Sequence, residues 1–129
     1  MRKHILAIDD SKPIRFLLQT IFRKNYKVTT VPDGYSAMYF LQHSDIPDLI
    51  IADAELPDMK KWEFIEHLNT SSLYGNIPVM VFSTLGEEET KINCMRLGVM
   101  AYFMKPFNPV HLMETADKVL QTRILTLKP

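Results

Sequence analysis

The sequence predicts an α/β domain, a parallel sheet of five strands with five helices packed on both its faces. Two observations carry that expectation. Short apolar runs alternate five times with longer stretches whose apolar residues recur at helical spacing. One run, Asp48 to Asp53 (DLIIAD), is apolar throughout between its two acids, as suits a strand covered on both faces. No internal repeat, low-complexity run or Gly/Ser linker breaks the pattern, and 129 residues suit one domain.

In chain order, His4 to Asp9 reads as the first strand and Ser11 as the cap of the first helix. That helix carries Ile14, Leu17, Leu18, Ile21 and Phe22 on one face, with Pro13 tolerated in its first turn. Tyr26 to Val31 is the second strand, ended by Pro32-Asp33-Gly34. Tyr35 to His43 follows as a helix with Ala37, Met38, Phe40 and Leu41 inward. After the third strand, Trp62, Phe64, Ile65 and Leu68 give a third helical face. Ile77 to Phe82 is the fourth strand, and Glu87 to Leu97 a mostly polar helix stopped by Gly98. Met100 to Met104 is the fifth strand. Asn108-Pro109 opens a last helix with Leu112, Met113, Ala116, Val119 and Leu120 inward. The domain is expected over residues 1–122. Residues 123–129 read as a tail or the start of a linker, although Ile124, Leu125 and Leu127 would equally extend the helix.

Composition narrows the function. Fifteen basic and fifteen acidic side chains cancel, so bulk charge points to neither nucleic acid nor an anionic membrane. One cysteine, Cys94, excludes an internal disulfide and a Cys-rich zinc site, and is expected to be a buried or half-buried thiol. The apolar start is too short for a signal peptide or a membrane span, which makes the cytoplasm the expected compartment. His4, His43, His67 and His111 lack ligand spacing and read as surface or half-buried residues. Glu87-Glu88-Glu89 reads as a solvated helix start.

In open parallel sheets, sites form outside the carboxyl ends of the strands. Here the first strand ends in Asp9-Asp10, the third in Asp53 and the fourth in Ser83-Thr84, and Lys105-Pro106 follows the fifth. Any one of these groups alone would be an ordinary strand end at water. Together they bring three carboxylates, a hydroxyl and an ammonium to one rim. Crowded carboxylates repel unless a cation offsets them, and a hard divalent ion with oxygen ligands is the economical solution.

On these residues the chain resembles the response-regulator receiver family of two-component signalling, including its stand-alone chemotaxis-type members. Asp53 lies 43 residues after Asp10 and is followed by Pro57, Ser83 lies 30 residues after Asp53, and Lys105 lies 22 residues after Ser83. The resemblance implies a flavodoxin-like, doubly wound sheet of order 2-1-3-4-5. It implies a switch phosphorylated on Asp53, the chain catalysing its own phosphorylation and dephosphorylation rather than turning over an external substrate. Mg²⁺ is implied as cofactor, held by Asp9 (mainly through water), Asp10, Asp53 and the backbone carbonyl of Glu55. Lys105 and Ser83 would contact the phosphoryl group, with Ser83 and Tyr102 as the switch pair. Output would run through the face of the fourth helix, fifth strand and fifth helix. The implied partners are a sensor histidine kinase or histidine phosphotransfer protein and a downstream protein target. Direct nucleic-acid binding and a membrane are not expected of this domain, and a homodimer is compatible with it.

Three positions depart from the family's pattern. Lys61 stands where the family usually has glycine, so the loop from Pro57 to Trp62 is expected to take its own path. Thr84 replaces a small residue and crowds the approach to Asp53, and Ala101 stands where an Asp or Gly often precedes the switch aromatic. The competing reading is an interaction module that keeps the fold and signals without phosphate. Lys61 and Thr84 favour it, and the five filled site positions count against it. An aspartate-based phosphatase would need an Asp-x-Asp arrangement on the first strand, and a flavin protein a donor-rich phosphate loop there. Asp9-Asp10-Ser11-Lys12-Pro13 provides neither.

Overall fold

A computed structural model describes residues 2–126. Five strands, β1 (His4–Ile8), β2 (Lys27–Val31), β3 (Leu49–Asp53), β4 (Val79–Ser83) and β5 (Ala101–Met104), form one parallel sheet in the order β2-β1-β3-β4-β5. Between and after them run α1 (Lys12–Phe22), α2 (Gly34–His43), α3 (Glu63–Thr70), α4 (Glu87–Arg96) and α5 (Pro109–Thr126). The strands lie within two residues of their expected limits. At β4 the shift has a clear cause. Pro78 has no N–H to give, and its carbonyl accepts from Ile50 N at 3.0 Å, so the strand begins at Val79 and runs on to Ser83. Of the tail expected from residue 123, residues 127–129 lie outside the described residues, and α5 reaches Thr126.

Side chains alternate across the three central strands, which are buried throughout. Leu6, Ile8, Ile50, Ala52, Val79 and Val81 face α2, α3 and α4, where they meet Ala37, Leu41, Phe64, Ile65, Leu68 and Leu97. Ile5, Ala7, Leu49, Ile51, Met80 and Phe82 face α1 and α5 and meet Leu18, Phe22, Leu112, Ala116 and Leu120. Fully burying each such aliphatic side chain is worth roughly 1.5–3 kcal/mol, so the two faces together hold the strand ends in place.

The helix ends explain the boundaries. Ser11 Oγ accepts from Ile14 N at 3.3 Å, and Asp33 Oδ1 accepts from Ser36 N at 2.8 Å. At the end of α4, Gly98 takes φ +69° and Val99 N reaches back to Cys94 O at 3.0 Å, which closes the last turn. Asn108 Oδ1 accepts from Val110 N and His111 N, which starts α5.

Two expectations change. Trp62 is not on the α3 face but precedes the helix in a left-handed conformation, φ +66°, the single non-glycine residue with positive φ among the described residues. The strained turn residue is thus Trp62, while Lys61 beside it is exposed and pairs with Glu89 at 3.5 Å. Trp62 tolerates the position because its ring is buried and its N–H donates to Ala54 O at 2.9 Å. His4, expected at the surface or half-buried, is buried as well. Its imidazole is buried, bonded to Thr29 Oγ1 at 2.8 Å and set edge-on to Phe40, and burial and then Lys27 lower its pKa.

Cys94 is buried, as expected, and burial pushes its thiol from 9.0 up to about 11. The stability this contributes is present below the unfolded thiol's pKa and lost as pH rises toward 11. Iodoacetamide at pH 8 is expected to alkylate the native protein at least about a hundredfold more slowly than the urea-unfolded chain. Comparable rates in the two states would contradict the burial of this thiol.

Candidate functional site

The parallel sheet places the chemistry. All five strands point the same way, so their carboxyl ends share one edge, and strand order reverses between β1 and β3. Asp9 and Asp10 follow β1, Asp53 is the last residue of β3, Ser83 the last of β4, and Lys105 the first after β5. These residues meet at that edge.

The arrangement centres on one ammonium. Lys105 Nζ donates to Asp9 Oδ2 at 2.7 Å and to Asp53 Oδ2 at 2.5 Å. The other oxygen of each carboxylate accepts a local backbone N–H, from Ser11 for Asp9 at 2.9 Å and from Glu55 for Asp53 at 2.8 Å. Asp9 and Asp53 are buried and Asp10 is exposed. One carboxylate oxygen from each of the three lies within 4.8 Å of the others. Burial raises the pKa of Asp53, and the hydrogen bond from Lys105 works against that shift. For Lys105, burial would lower the pKa, but its bonds to Asp53 and Asp9 prevail and hold it above the usual lysine range.

A cavity opens onto this group, lined by Asp10, Asp53, Glu55, Pro57, Thr84 and Lys105 among others. Thr84 stands exposed at its wall. Glu55 is exposed beside Asp53, and its side chain does not join the carboxylate cluster. Ser83 is at the edge but turned from the cavity. It is fully buried, and its Oγ lies 2.8 Å from Thr90 Oγ1 and accepts from Leu85 N at 3.0 Å. Tyr102 is half-buried on β5 and lines a separate open groove with Glu87, Phe107 and His111. Partial burial, then the Glu87 carboxylate, raises the pKa of its hydroxyl.

Sequence reasoning missed two supports. Arg15 Nη1 donates to the carbonyl of Asp9 at 2.8 Å, which steadies the chain entering the acid pair. Thr90 is buried in the first turn of α4, a mostly polar helix, and no sequence pattern singled it out.

A doubly wound sheet with acids and a lysine at this edge defines a receiver-type domain. The family model "Response regulator receiver domain" matches residues 5–117, and the chain belongs to that family. Receiver domains work with histidine kinases and downstream effectors, and generally bind Mg²⁺. The phosphate regulon transcriptional regulatory protein PhoB of Escherichia coli (strain K12) is 30% identical over 94% of this chain. The chain spans only 53% of that relative, about half its length. The two-component response regulator ORR5 of Oryza sativa subsp. japonica is 31% identical over 92% of this chain and 89% of its own. Among solved structures, the chemotaxis response regulator CheY4 of Vibrio cholerae is similar at a TM-score of 0.82. It shares 31% identity, over 92% of this chain and 99% of its own.

If the ammonium balances two buried acids, its removal must cost stability. Lys105→Met is expected to lose about 2 kcal/mol at pH 7.5 in urea unfolding, less than for a fully enclosed pair because Lys105 keeps some solvent contact. The loss should shrink toward pH 5, where a carboxylate left without its cation takes up a proton. A deficit equal at both pH values would refute this charge balance.

Proposed function

We infer that this domain is a phosphoryl-accepting switch of a two-component or phosphorelay system, modified on Asp53. The observation that carries the reading is the Lys105 ammonium held between the Asp9 and Asp53 carboxylates beside an open cavity. A carboxylate oxygen of Asp53 would attack phosphorus as the bond to the donor's imidazole nitrogen breaks, and the nitrogen would keep that electron pair. Lys105 already touches Asp53, so its charge favours the ionised nucleophile and is poised to offset the phosphoryl oxygens. Ser83 would then donate its hydroxyl to the phosphoryl group, with Tyr102 following as the switch aromatic.

The donor set fits a hard divalent cation, since three carboxylates converge and one ammonium cannot balance them all. Asp10, Asp53 and the Glu55 backbone carbonyl would hold Mg²⁺ directly, with Asp9 acting through water. When bound, Mg²⁺ supplies positive charge against the transferred phosphoryl oxygens. The chain would thus catalyse its own phosphorylation and dephosphorylation without turning over an external substrate.

The receiver unit is taken as residues 1–122. The donor would be a sensor histidine kinase or a histidine phosphotransfer protein in the cytoplasm. Output would pass to a protein target, or to a second copy, through α4, β5 and α5. Ile92 and Met95 on α4 and Val110 on α5 expose apolar surface, as Phe16 on α1 and Tyr35 and Tyr39 on α2 also do. No described helix is long and apolar enough to cross a membrane. Direct nucleic-acid binding is not assigned to this domain.

With acetyl phosphate and Mg²⁺, the wild type should gain one phosphoryl mass and Asp53→Asn none. Labelling should fail in chelator and fall at least about tenfold in Asp10→Ala. Equal labelling of Asp53→Asn would sink the assignment, and absence of labelling in the wild type would favour the phosphate-independent module, to which Thr84 at the cavity wall also points. Activation should move backbone amides chiefly between Ser83 and Asn108 in NMR spectra. Shifts confined to α1 and α2 would exclude the α4-β5-α5 output face.

A further inference from the structure

Thr90 makes a buried contact that the acceptor chemistry does not use. Ser83 and Thr90 are both fully buried, and their hydroxyl oxygens lie 2.8 Å apart. Ser83 Oγ also accepts from Leu85 N at 3.0 Å. Its oxygen is thereby fixed by two partners, both on the side of α4. None of its surface is exposed, and it does not line the cavity that Asp53, Thr84 and Lys105 share.

The helix makes this contact unusual. A threonine inside a helix commonly returns its hydroxyl to the carbonyl four residues back. For Thr90 that carbonyl is Gly86 O, which accepts Thr90 N at 2.9 Å, whereas the side chain bonds across to β4. Thr90 is also one of two buried residues on a helix whose other side chains are mostly polar and outward. The bond therefore ties the end of β4 to the first turns of α4.

We propose that Thr90 is a positioning residue: its hydroxyl holds Ser83 away from the phosphoryl site, so that Ser83 can reach a phosphoryl oxygen only by leaving Thr90. This rests on Asp53 being the acceptor. On release, Thr90 turns to Gly86 O, and the first turn of α4 is no longer tied to β4. The bond thus sets the threshold of the switch and gives α4 a direct sense of the state of Ser83.

The test uses beryllofluoride with Mg²⁺ as the phosphoryl mimic, titrated by NMR. Thr90→Val keeps the shape and removes the hydroxyl, and should tighten apparent beryllofluoride affinity about fivefold, the effect of one net hydrogen bond. Thr90→Ser should restore the wild-type value, and Thr90→Val should change nothing in a Ser83→Ala background. Thr90→Ala provides the same comparison if the valine variant folds poorly. A second readout needs no phosphate. With Ser83 released, hydrogen exchange at the Leu85 amide should accelerate in Thr90→Val and Thr90→Ala but not in Thr90→Ser. Wild-type binding with unchanged or weaker affinity in both hydroxyl-less variants would overturn the proposal, as would an equal gain in the Ser83→Ala background. If the wild type binds no beryllofluoride, the acceptor reading falls, and Leu85 exchange alone decides. Acceleration then upholds the restraint on Ser83, and unchanged exchange overturns it.

Discussion

Lys105 reaches across the carboxyl edge of the sheet to two buried carboxylates, and the charge at that edge depends on this contact. Asp9 and Asp53 end neighbouring strands, so the ladder between β1 and β3 forces them together whatever their repulsion. Two buried carboxylates without a cation would each carry a desolvation cost of several kcal/mol. Lys105 arrives from β5, on the far side of β4, and its stem passes the Phe82 ring, with Nζ 5.9 Å from the ring centre. Phe107 stacks on that same ring at 4.5 Å and 9°. The aromatic floor shields the ammonium on one side, and the open cavity leaves the other side to solvent.

The surrounding loops are pinned by contacts of their own. Asp58 accepts from Gly34 N at 2.9 Å and Tyr35 N at 2.8 Å, joining the loop after Asp53 to the start of α2. A side chain at Gly34 would bring its first carbon to 2.5 Å from the sulfur of Met59, so the flexible end of that methionine would have to shift aside. Across the loop's other end, Trp62 Nε1 donates to Glu89 Oε2 at 3.4 Å and Lys61 pairs with the same carboxylate. The exposed ion pair adds little by itself. Its value is geometric, since it links the loop beside Asp53 to the helix that carries Thr90.

A buried hydroxyl needs partners, and Ser83 has two. Leu85 N and Thr90 Oγ1 both belong to the segment that leaves β4 and enters α4. A movement at Ser83 therefore falls on the start of α4, where few apolar contacts resist it. Among the residues of α4, only Thr90 and Cys94 are buried.

The five strands and five helices were legible in the sequence because their side-chain periods differ, 2 against 3.6, and because Ser11, Asp33, Gly98 and Asn108 mark helix ends by local hydrogen bonding or backbone angle alone. The acids, the hydroxyl and the lysine were legible as well, since a parallel sheet sends every strand's carboxyl end to one edge. What depends on distance through space was not. That one ammonium bridges Asp9 and Asp53, residues 44 positions apart, follows only once β1 and β3 are paired and β5 is laid beside β4. The bond between Ser83 and Thr90 spans seven residues, but whether a threonine hydroxyl turns to its own helix or to a strand is decided by what packs against it. Trp62 shows the same limit from the other side. Its apolar character placed it in the core correctly, while the left-handed backbone that brings it there comes from the tie between its N–H and Ala54 O across the loop. Local pattern determined which apolar residues are inside, and tertiary packing decided which of them touch and buried the polar His4 and Thr90 among them.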